Sequence, residues 1–273
     1  MSPMLPYGRQ SINDADVAAV AAVLRGDWLT TGPAVTAFET ALREFTGAAS
    51  AVSVTSGTAA LHVAYAAAGI GPGDDVVTTP LTFVATASGA ALHGARILFA
   101  DVEEDTGNLD PAAVAAVLTD RTRVVAAVDY AGHPAEMDAL RALTEPTGAL
   151  LLEDAAHSIG SLYRGRPVGT LADLTTLSFF PTKNLTTAEG GAVLSTDPAL
   201  GAKAARFHTI GLVRDPAEQR YPDEGPWHQE VHAFGLNYRL PDVLCALGLS
   251  QLARMAEFKR RRTEIVRRYD EGL

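Results

Sequence analysis

The chain has very little cysteine, since Cys245 is the only one among 273 residues. One thiol excludes an intrachain disulfide framework and any metal site built on several cysteines. A single free thiol is typical of a reducing compartment. No run reaches the roughly 18 apolar residues of a membrane span, and no basic stretch leads into an apolar one at the N-terminus. We therefore expect a cytoplasmic protein with no membrane partner.

Positive charge is also scarce, with 22 Lys and Arg against 32 Asp and Glu and a net charge of −10. An acidic chain repels polyanions, so a nucleic-acid partner is disfavoured. The basic run at 259–268 contains Glu264, and we interpret it as a solvated helix face. Hydrophobic residues make up 47% of the chain, enough for a large core and one or two domains.

Short apolar, β-branched runs alternate with helical stretches from residue 51 onward, which is typical of an α/β protein with a mostly parallel sheet. Helices are predicted over 13–25, 34–46, 58–69, 83–93, 111–118, 135–146, 198–209 and, as one long helix, about 241–269. The predicted strands are Ala51–Val54, Asp75–Thr79, Arg96–Ala100, Arg123–Val128, Ala149–Glu153, Leu174–Phe179 and Gly191–Ser195.

Parallel sheets bind ligands at the carboxyl ends of their strands, so the residues that follow each strand are the candidates for chemistry. Asp154 follows one apolar strand and Lys183 follows the next along the chain. Pyridoxal phosphate needs both residue types, a lysine for its Schiff base and an acid beside its pyridine nitrogen. Singly, Asp154 is equally an N-cap and Lys183 a solvated surface lysine.

Small residues at 55–58 follow the first strand and open a helix. Free backbone N–H groups there favour an anion such as phosphate, while simple capping by Ser56 or Thr58 is the alternative. Phe83 is a candidate to stack on an aromatic ring, against core packing. His157 is a candidate to bond a phenolic oxygen, against a structural role.

Residues 235–239 precede the last predicted helix and contain Asn237 and Arg239. The amide suits a phosphate and the guanidinium suits an anionic substrate group. An ordinary loop with a surface arginine is the alternative.

Together and in this order, these segments resemble the DegT/DnrJ/EryC1/StrS sugar-nucleotide aminotransferases, pyridoxal-phosphate enzymes of aspartate-aminotransferase fold. The resemblance implies a PLP fold type I large domain with a seven-stranded, mostly parallel sheet flanked by helices. The matching pieces are 28–33, 55–61, 80–86, 101–110, 153–157, 178–191 and 235–239.

The resemblance also implies roles for single residues. Lys183 matches the catalytic lysine that carries pyridoxal 5′-phosphate as a Schiff base, and Asp154 matches the acid at the pyridine nitrogen. Asn237 matches an asparagine that reaches the phosphate from the other subunit, which implies a homodimer with shared active sites. Tyr7 and Arg239 are expected to bind substrate. The other expected cofactor contacts are Ser56, Gly57, Thr58 and Ser178 at the phosphate, Phe83 on the ring and His157 at its oxygen.

Two stretches, 128–132 and 186–191, together with 246–252, resemble the aminotransferases of pseudaminic acid synthesis most. That resemblance implies transfer of an amino group from glutamate to the 4-keto group of a UDP-linked 4-keto-6-deoxy N-acetylhexosamine. Phe180 and Thr182 depart from the subfamily's usual residues, so another nucleotide sugar is an alternative. Lys183 itself argues against the related sugar dehydratases, which carry a histidine there.

The expected organisation is an N-terminal segment (1–30), a PLP-binding large domain (31–240) and a long helix (241–273). That helix is expected to lead to a C-terminal small domain that these 273 residues do not include. Since that domain normally helps to close the substrate site, an inactive member that binds cofactor or dimerises without turnover is a further alternative.

Overall fold

A seven-stranded sheet forms the centre of the computed structural model, which describes Met4 and residues 8–273. Four shorter strands form two separate two-stranded sheets. All seven predicted strands are present, and each boundary lies within a residue or two of the prediction. The strands are β1 (Ser50–Val54), β2 (Asp75–Thr78), β3 (Arg96–Phe99), β4 (Thr122–Val128), β5 (Leu150–Asp154), β6 (Leu162–Tyr163), β7 (Arg166–Pro167), β8 (Leu174–Ser178), β9 (Gly191–Ser195), β10 (Leu212–Val213) and β11 (Glu230–Val231).

The order of the main sheet is β1-β9-β8-β5-β4-β2-β3, and only β9 runs antiparallel to its neighbours. The predicted α/β, aspartate-aminotransferase-like fold class with a mostly parallel sheet is confirmed. Because β4, β5 and β8 are adjacent and parallel, their carboxyl ends lie together at one edge, where Asp154 pairs with Val128 on one side and with Thr176 on the other.

Helices cover both faces of the sheet, and each face has its own apolar core. Helices α2, α5, α6 and α8 pack on one face, and α3, α4 and α7 pack on the other. The helices are α1 (Asp14–Arg25), α2 (Pro33–Thr46), α3 (Gly57–Ala68), α4 (Ala85–Ala91), α5 (Pro111–Val117), α6 (Met137–Thr144), α7 (Pro198–His208), α8 (Asp242–Ala253) and α9 (Met255–Gly272).

Local sequence explains where several helices begin. Asn13 caps α1 in a capping box with Asp16, as the sequence suggests, and Pro33 and Pro111 occupy first-turn positions that need no N–H donor. The prediction for α4 is too long, because residues 83 and 84 form the turn that leads into it.

The single long helix predicted over 241–269 is wrong, since α8 and α9 are separated at Arg254 (φ −99°, ψ 4°). The Arg254 guanidinium bonds the buried Asp16 carboxylate of α1 at 3.1 Å. Asp16 also accepts hydrogen bonds from Ser250 and Gln251. The apolar α8 therefore stays in the core, tied to α1, while the charged α9 continues along the surface. In the described part of the chain, no helix is long and apolar enough to cross a membrane.

Candidate active site

A cavity of about 390 Å³ opens at the carboxyl ends of β4, β5 and β8, and we call it the strand-end cavity. Its wall includes residues from five separate stretches of the chain that sequence analysis had singled out. Eight predicted cofactor contacts line it together: Ser56, Gly57, Thr58, Phe83, Asp154, His157, Ser178 and Lys183.

Asp154 ends β5, and its carboxylate is 5% exposed. The Thr86 hydroxyl donates to Oδ2 at 2.7 Å, and the Ala156 N–H donates to Oδ1 at 3.3 Å. Thr86 is held in turn, because its carbonyl accepts from the buried Tyr65 hydroxyl at 2.7 Å. The capping alternative for Asp154 describes only the weaker of its two bonds. Its orientation is set by α4, which the sequence analysis did not connect to it.

Burial raises the pKa of the Asp154 carboxyl above its ordinary value. The bonds from Thr86 and Ala156 and the charges of Lys183 and His157 act in the opposite direction. The structure thus holds a buried carboxylate that faces a cavity and forms no ion pair within the described residues. A cation placed in the cavity would form an ion pair with this carboxylate and offset the cost of its burial.

Lys183 lies in the loop between β8 and β9, which folds back on the sheet. The backbone N–H of Lys183 donates to the Phe180 carbonyl at 2.9 Å in a tight turn. The Thr186 hydroxyl and the Thr187 N–H both bond the Phe179 carbonyl, which anchors the rest of the loop. The side chain of Lys183 is half-buried at the cavity wall. Burial lowers the pKa of its amine, while Asp154 opposes that shift. A lowered pKa favours the neutral amine that a nucleophile needs.

The first turn of α3 presents backbone N–H groups to the same cavity. Ser56 caps the helix, because its hydroxyl accepts from the Ala59 N–H at 3.0 Å, so the capping interpretation holds for this side chain. A Cβ at Gly57 would lie 2.8 Å from the Ser178 Cβ, so glycine alone allows the helix to approach β8 this closely. Thr58 is exposed. The arrangement is an anion site of the kind that helix N-termini form.

Phe83 and His157 occupy the mouth of the cavity. Phe83 is 72% exposed, so the alternative of core packing is wrong for this ring. His157 is also exposed, and desolvation, reinforced by the charge of Lys183, lowers the pKa of its imidazole. Glu189 lines the cavity too and was not among the predicted residues, although it lies in the quoted stretch 178–191.

Two predicted residues, Asn237 and Arg239, are not among those that line this cavity, and a third is outside the described residues. Asn237 is exposed, and its backbone pairs with Thr209 at the end of α7. Arg239 is half-buried beside Val54, and its Nε has no hydrogen-bond partner among the described residues. Tyr7 lies outside the residues that the structure describes. The roles expected for these three residues therefore stay predictions.

Two more acids lie at the same edge of the sheet, and one of them, Asp129, also lines the cavity. Asp129 and Glu153 are fully buried. Asp129 accepts from Ser158 and Ala135, and Glu153 accepts through Oε2 from Thr175 at 2.9 Å and Gly169 at 3.2 Å. Oε1 of Glu153 has no donor among the described residues. Burial raises both pKa values, that of Glu153 to about 7. Sequence analysis missed this pair, because it depends on the pairing of β4 with β5.

Comparison with known proteins gives a consistent result. The model of the "DegT/DnrJ/EryC1/StrS aminotransferase family" matches residues 10–273. The spore coat polysaccharide biosynthesis protein SpsC of Bacillus subtilis is 41% identical over 269 residues, which are 98% of this chain and 69% of SpsC.

Two solved structures are similar over nearly the whole chain. Helicobacter pylori PseC, an aminotransferase involved in the biosynthesis of pseudaminic acid, superimposes with a TM-score of 0.91 at 32% identity, over 98% of this chain and 70% of PseC. The PLP form of Spr1654 from Streptococcus pneumoniae, assigned as a sugar aminotransferase, has a TM-score of 0.90 at 29% identity, over 98% of this chain and 71% of Spr1654.

Proposed function

Because the chain belongs to the DegT/DnrJ/EryC1/StrS aminotransferase family, we propose that it transfers the amino group of glutamate to the 4-keto group of a nucleotide-linked 4-keto-6-deoxy sugar. A UDP-linked N-acetylhexosamine is the proposed sugar. The observation that carries the proposal is the meeting of Asp154, Lys183 and the N-terminus of α3 around one cavity. The likeness to PseC supports the choice of sugar class.

The strand-end cavity fits pyridoxal 5′-phosphate by the chemistry of its donors. Asp154 offers a buried negative charge to a protonated pyridine nitrogen, and Phe83 offers an exposed ring face. The first turn of α3 and Ser178 offer hydrogen bonds to a phosphate. When bound, the cofactor supplies an electron sink that stabilises the carbanion left when the donor loses its α-proton.

The remaining steps are assigned to the chain's own groups. Lys183 Nζ would take the α-proton of the donor, since burial lowers the pKa of its amine and so favours the neutral form that a base needs. Asp154 keeps the pyridine nitrogen protonated, and Thr86 holds that carboxylate in place. His157 is proposed to bond the ring oxygen. Asn237 is proposed to reach the phosphate of a second copy in a homodimer, and Arg239 and Tyr7 to contact the nucleotide sugar.

The test begins with the cofactor. Purified protein is incubated with pyridoxal 5′-phosphate and reduced with borohydride, and its peptides are then analysed by mass spectrometry. We expect the cofactor's mass on the peptide that contains Lys183. Lys183→Ala should remove that label, while Lys203→Ala, a change at an exposed lysine on α7, should keep it.

Turnover is then measured as 2-oxoglutarate formed from glutamate and the UDP-linked keto sugar. Lys183→Ala should reduce the rate by three orders of magnitude or more, about 4 kcal/mol. Labelling of Lys183 without amination of any nucleotide-linked keto sugar would refute the substrate class while keeping the cofactor. No labelling of Lys183 would refute the proposed function as a whole.

A further inference from the structure

A second and smaller cleft, of about 180 Å³, opens on the other side of Lys183 from the strand-end cavity. Thr182 and Lys183 line both spaces, so the two are neighbours across this lysine. Two arginines, Arg9 from the N-terminal segment and Arg262 from α9, also line the smaller space, which we call the guanidinium cleft. The lining residues include no carboxylate.

Arg262 is held at this place by its own surroundings. Its Nη2 donates to the carbonyl of Asn184, the residue after Lys183, at 3.2 Å. Its guanidinium lies 5.9 Å from the centre of the Phe258 ring. Desolvation lowers the pKa of Arg262, with no neighbouring acid to oppose it.

Three arginines near Arg262 in the sequence pair with acids, whereas Arg262 does not. Arg260 and Arg261 both pair with Glu264, and Arg254 pairs with Asp16. Within the described residues, neither Arg262 nor Arg9 forms an ion pair, although acids outnumber bases in the chain. Two guanidinium groups and a lysine that line one cleft without a carboxylate favour a bound anion.

The N-terminal side of the cleft is also built by specific contacts. The Ser11 carbonyl accepts from Gln251 at 2.9 Å and from Arg254 at 3.4 Å, which ties this segment to α8 and the helix break. Gly8 lies against Thr182, since a Cβ there would be 3.5 Å from the Thr182 Cγ2. The backbone on both sides of Arg9 is therefore held against the rest of the chain.

We infer that the guanidinium cleft binds a carboxylate of the amino donor, with Arg262 as its principal ligand. This inference rests on the proposed function, because it assigns the donor's place in that reaction. A guanidinium binds a carboxylate through two parallel hydrogen bonds, and the cleft is large enough for a small dicarboxylate. A donor held there would bring its amino group to Lys183 and leave the larger cavity for the cofactor and the sugar.

Binding is tested without turnover, by calorimetric titration of the purified chain with and without pyridoxal 5′-phosphate. Glutarate is the probe, because it has the two carboxylates of the donor and no amino group to react. We expect Arg262→Gln to weaken glutarate binding about tenfold or more, as expected for a lost charge-assisted hydrogen bond. Arg262→Lys keeps the positive charge but cannot form the two parallel hydrogen bonds of a guanidinium, so it should recover part of the affinity.

Arg268→Gln is the matched control, since Arg268 is an exposed arginine on the same helix. It should leave glutarate affinity unchanged, and thermal unfolding should confirm that both glutamine variants are folded. Uridine diphosphate is the second probe, because its phosphates offer the same anionic oxygens. We expect its affinity to be the same in Arg262→Gln as in the unaltered chain.

The outcomes separate this inference from the proposed function. Failure of the unaltered chain to bind glutarate, or equal binding by Arg262→Gln, would overturn the inference while leaving the label on Lys183 intact. A loss of uridine diphosphate affinity in Arg262→Gln without a loss of glutarate affinity would assign the cleft to the nucleotide and also overturn it. In the active enzyme, Arg262→Gln should raise the KM for glutamate about tenfold without a matching rise for the sugar.

Discussion

The strand-end cavity and the segment at 232–239 differ in how many of their polar side chains are hydrogen-bonded within the chain. In the cavity, Asp154 receives two hydrogen bonds and is fixed by β5, β8 and α4. The segment is held mainly through its backbone, by bonds to Phe207 and His208 and by the Thr55 N–H. Two of its side chains are left unmatched, with Phe234 98% exposed and Arg239 Nε unpaired among the described residues.

Asp154 and Lys183 are thus held in place around the cavity by their own chain, whereas we propose that the segment at 232–239 makes contacts outside it. A preorganised site is built on strands and helices whose neighbours lock each side chain. The segment has the opposite character, because its backbone is fixed while the side chains of Phe234 and Asn237 stay exposed. A second copy of the chain is the proposed partner.

The largest expected loss of turnover tests directly whether the segment at 232–239 serves a second copy of the chain. Asn237→Asp adds a negative charge where a phosphate is proposed to bind, and we expect turnover to fall about a hundredfold, since like charges in close contact cost several kcal/mol. A heterodimer of Asn237→Asp with Lys183→Ala, purified through two different tags, should recover about half of the unaltered activity. One of its two shared sites then combines an intact Lys183 with an intact Asn237.

Unmixed preparations of each variant are the controls, and both should stay nearly inactive. If the heterodimer is as inactive as its parents, Asn237 does not serve the partner's site. The contrast between a cavity completed by its own chain and a segment that completes another would then be lost.

A smaller effect is expected inside the cavity. Thr86→Val removes the hydroxyl that bonds Asp154 while it nearly conserves volume. That bond lowers the pKa of Asp154 against the effect of burial, so its loss should raise this pKa further. We expect turnover at neutral pH to fall about tenfold, as for the loss of one hydrogen bond to a charged group. The acid limb of the pH–rate profile should move to higher pH.

Thr86→Ser is the matched control, because it keeps the hydroxyl and should keep both the rate and the profile. An equal loss in both variants, or a fall in rate without any movement of the acid limb, would show that packing of α4 and not the hydrogen bond to Asp154 is responsible.

The fold was predictable because apolar, β-branched runs identify strands locally, and all seven strands were found where the sequence indicated them. Many residues of the cavity were predictable because they end a strand or lie within about five residues after it. Thr86, the pair of Asp129 and Glu153, and the break at Arg254 were missed, since each depends on a contact with a distant part of the chain. The division into 1–30, 31–240 and 241–273 stays a prediction.

The smallest effect on turnover is expected at Glu153, which is buried near Asp129 and forms no ion pair among the described residues. Burial raises the pKa of Glu153 from 4.5 to about 7, so the folded state binds a proton that the unfolded state releases. Its contribution to stability is present below pH 4.5 and is lost as pH rises through about 7, by at most about 3 kcal/mol.

Glu153→Gln has no proton to lose and should match the unaltered chain at pH 5 but exceed its free energy of unfolding at pH 8. Urea unfolding at the two pH values measures this, and an equal difference at both would mean that Glu153 is ionised throughout and that the fold tolerates three buried charges at this sheet edge.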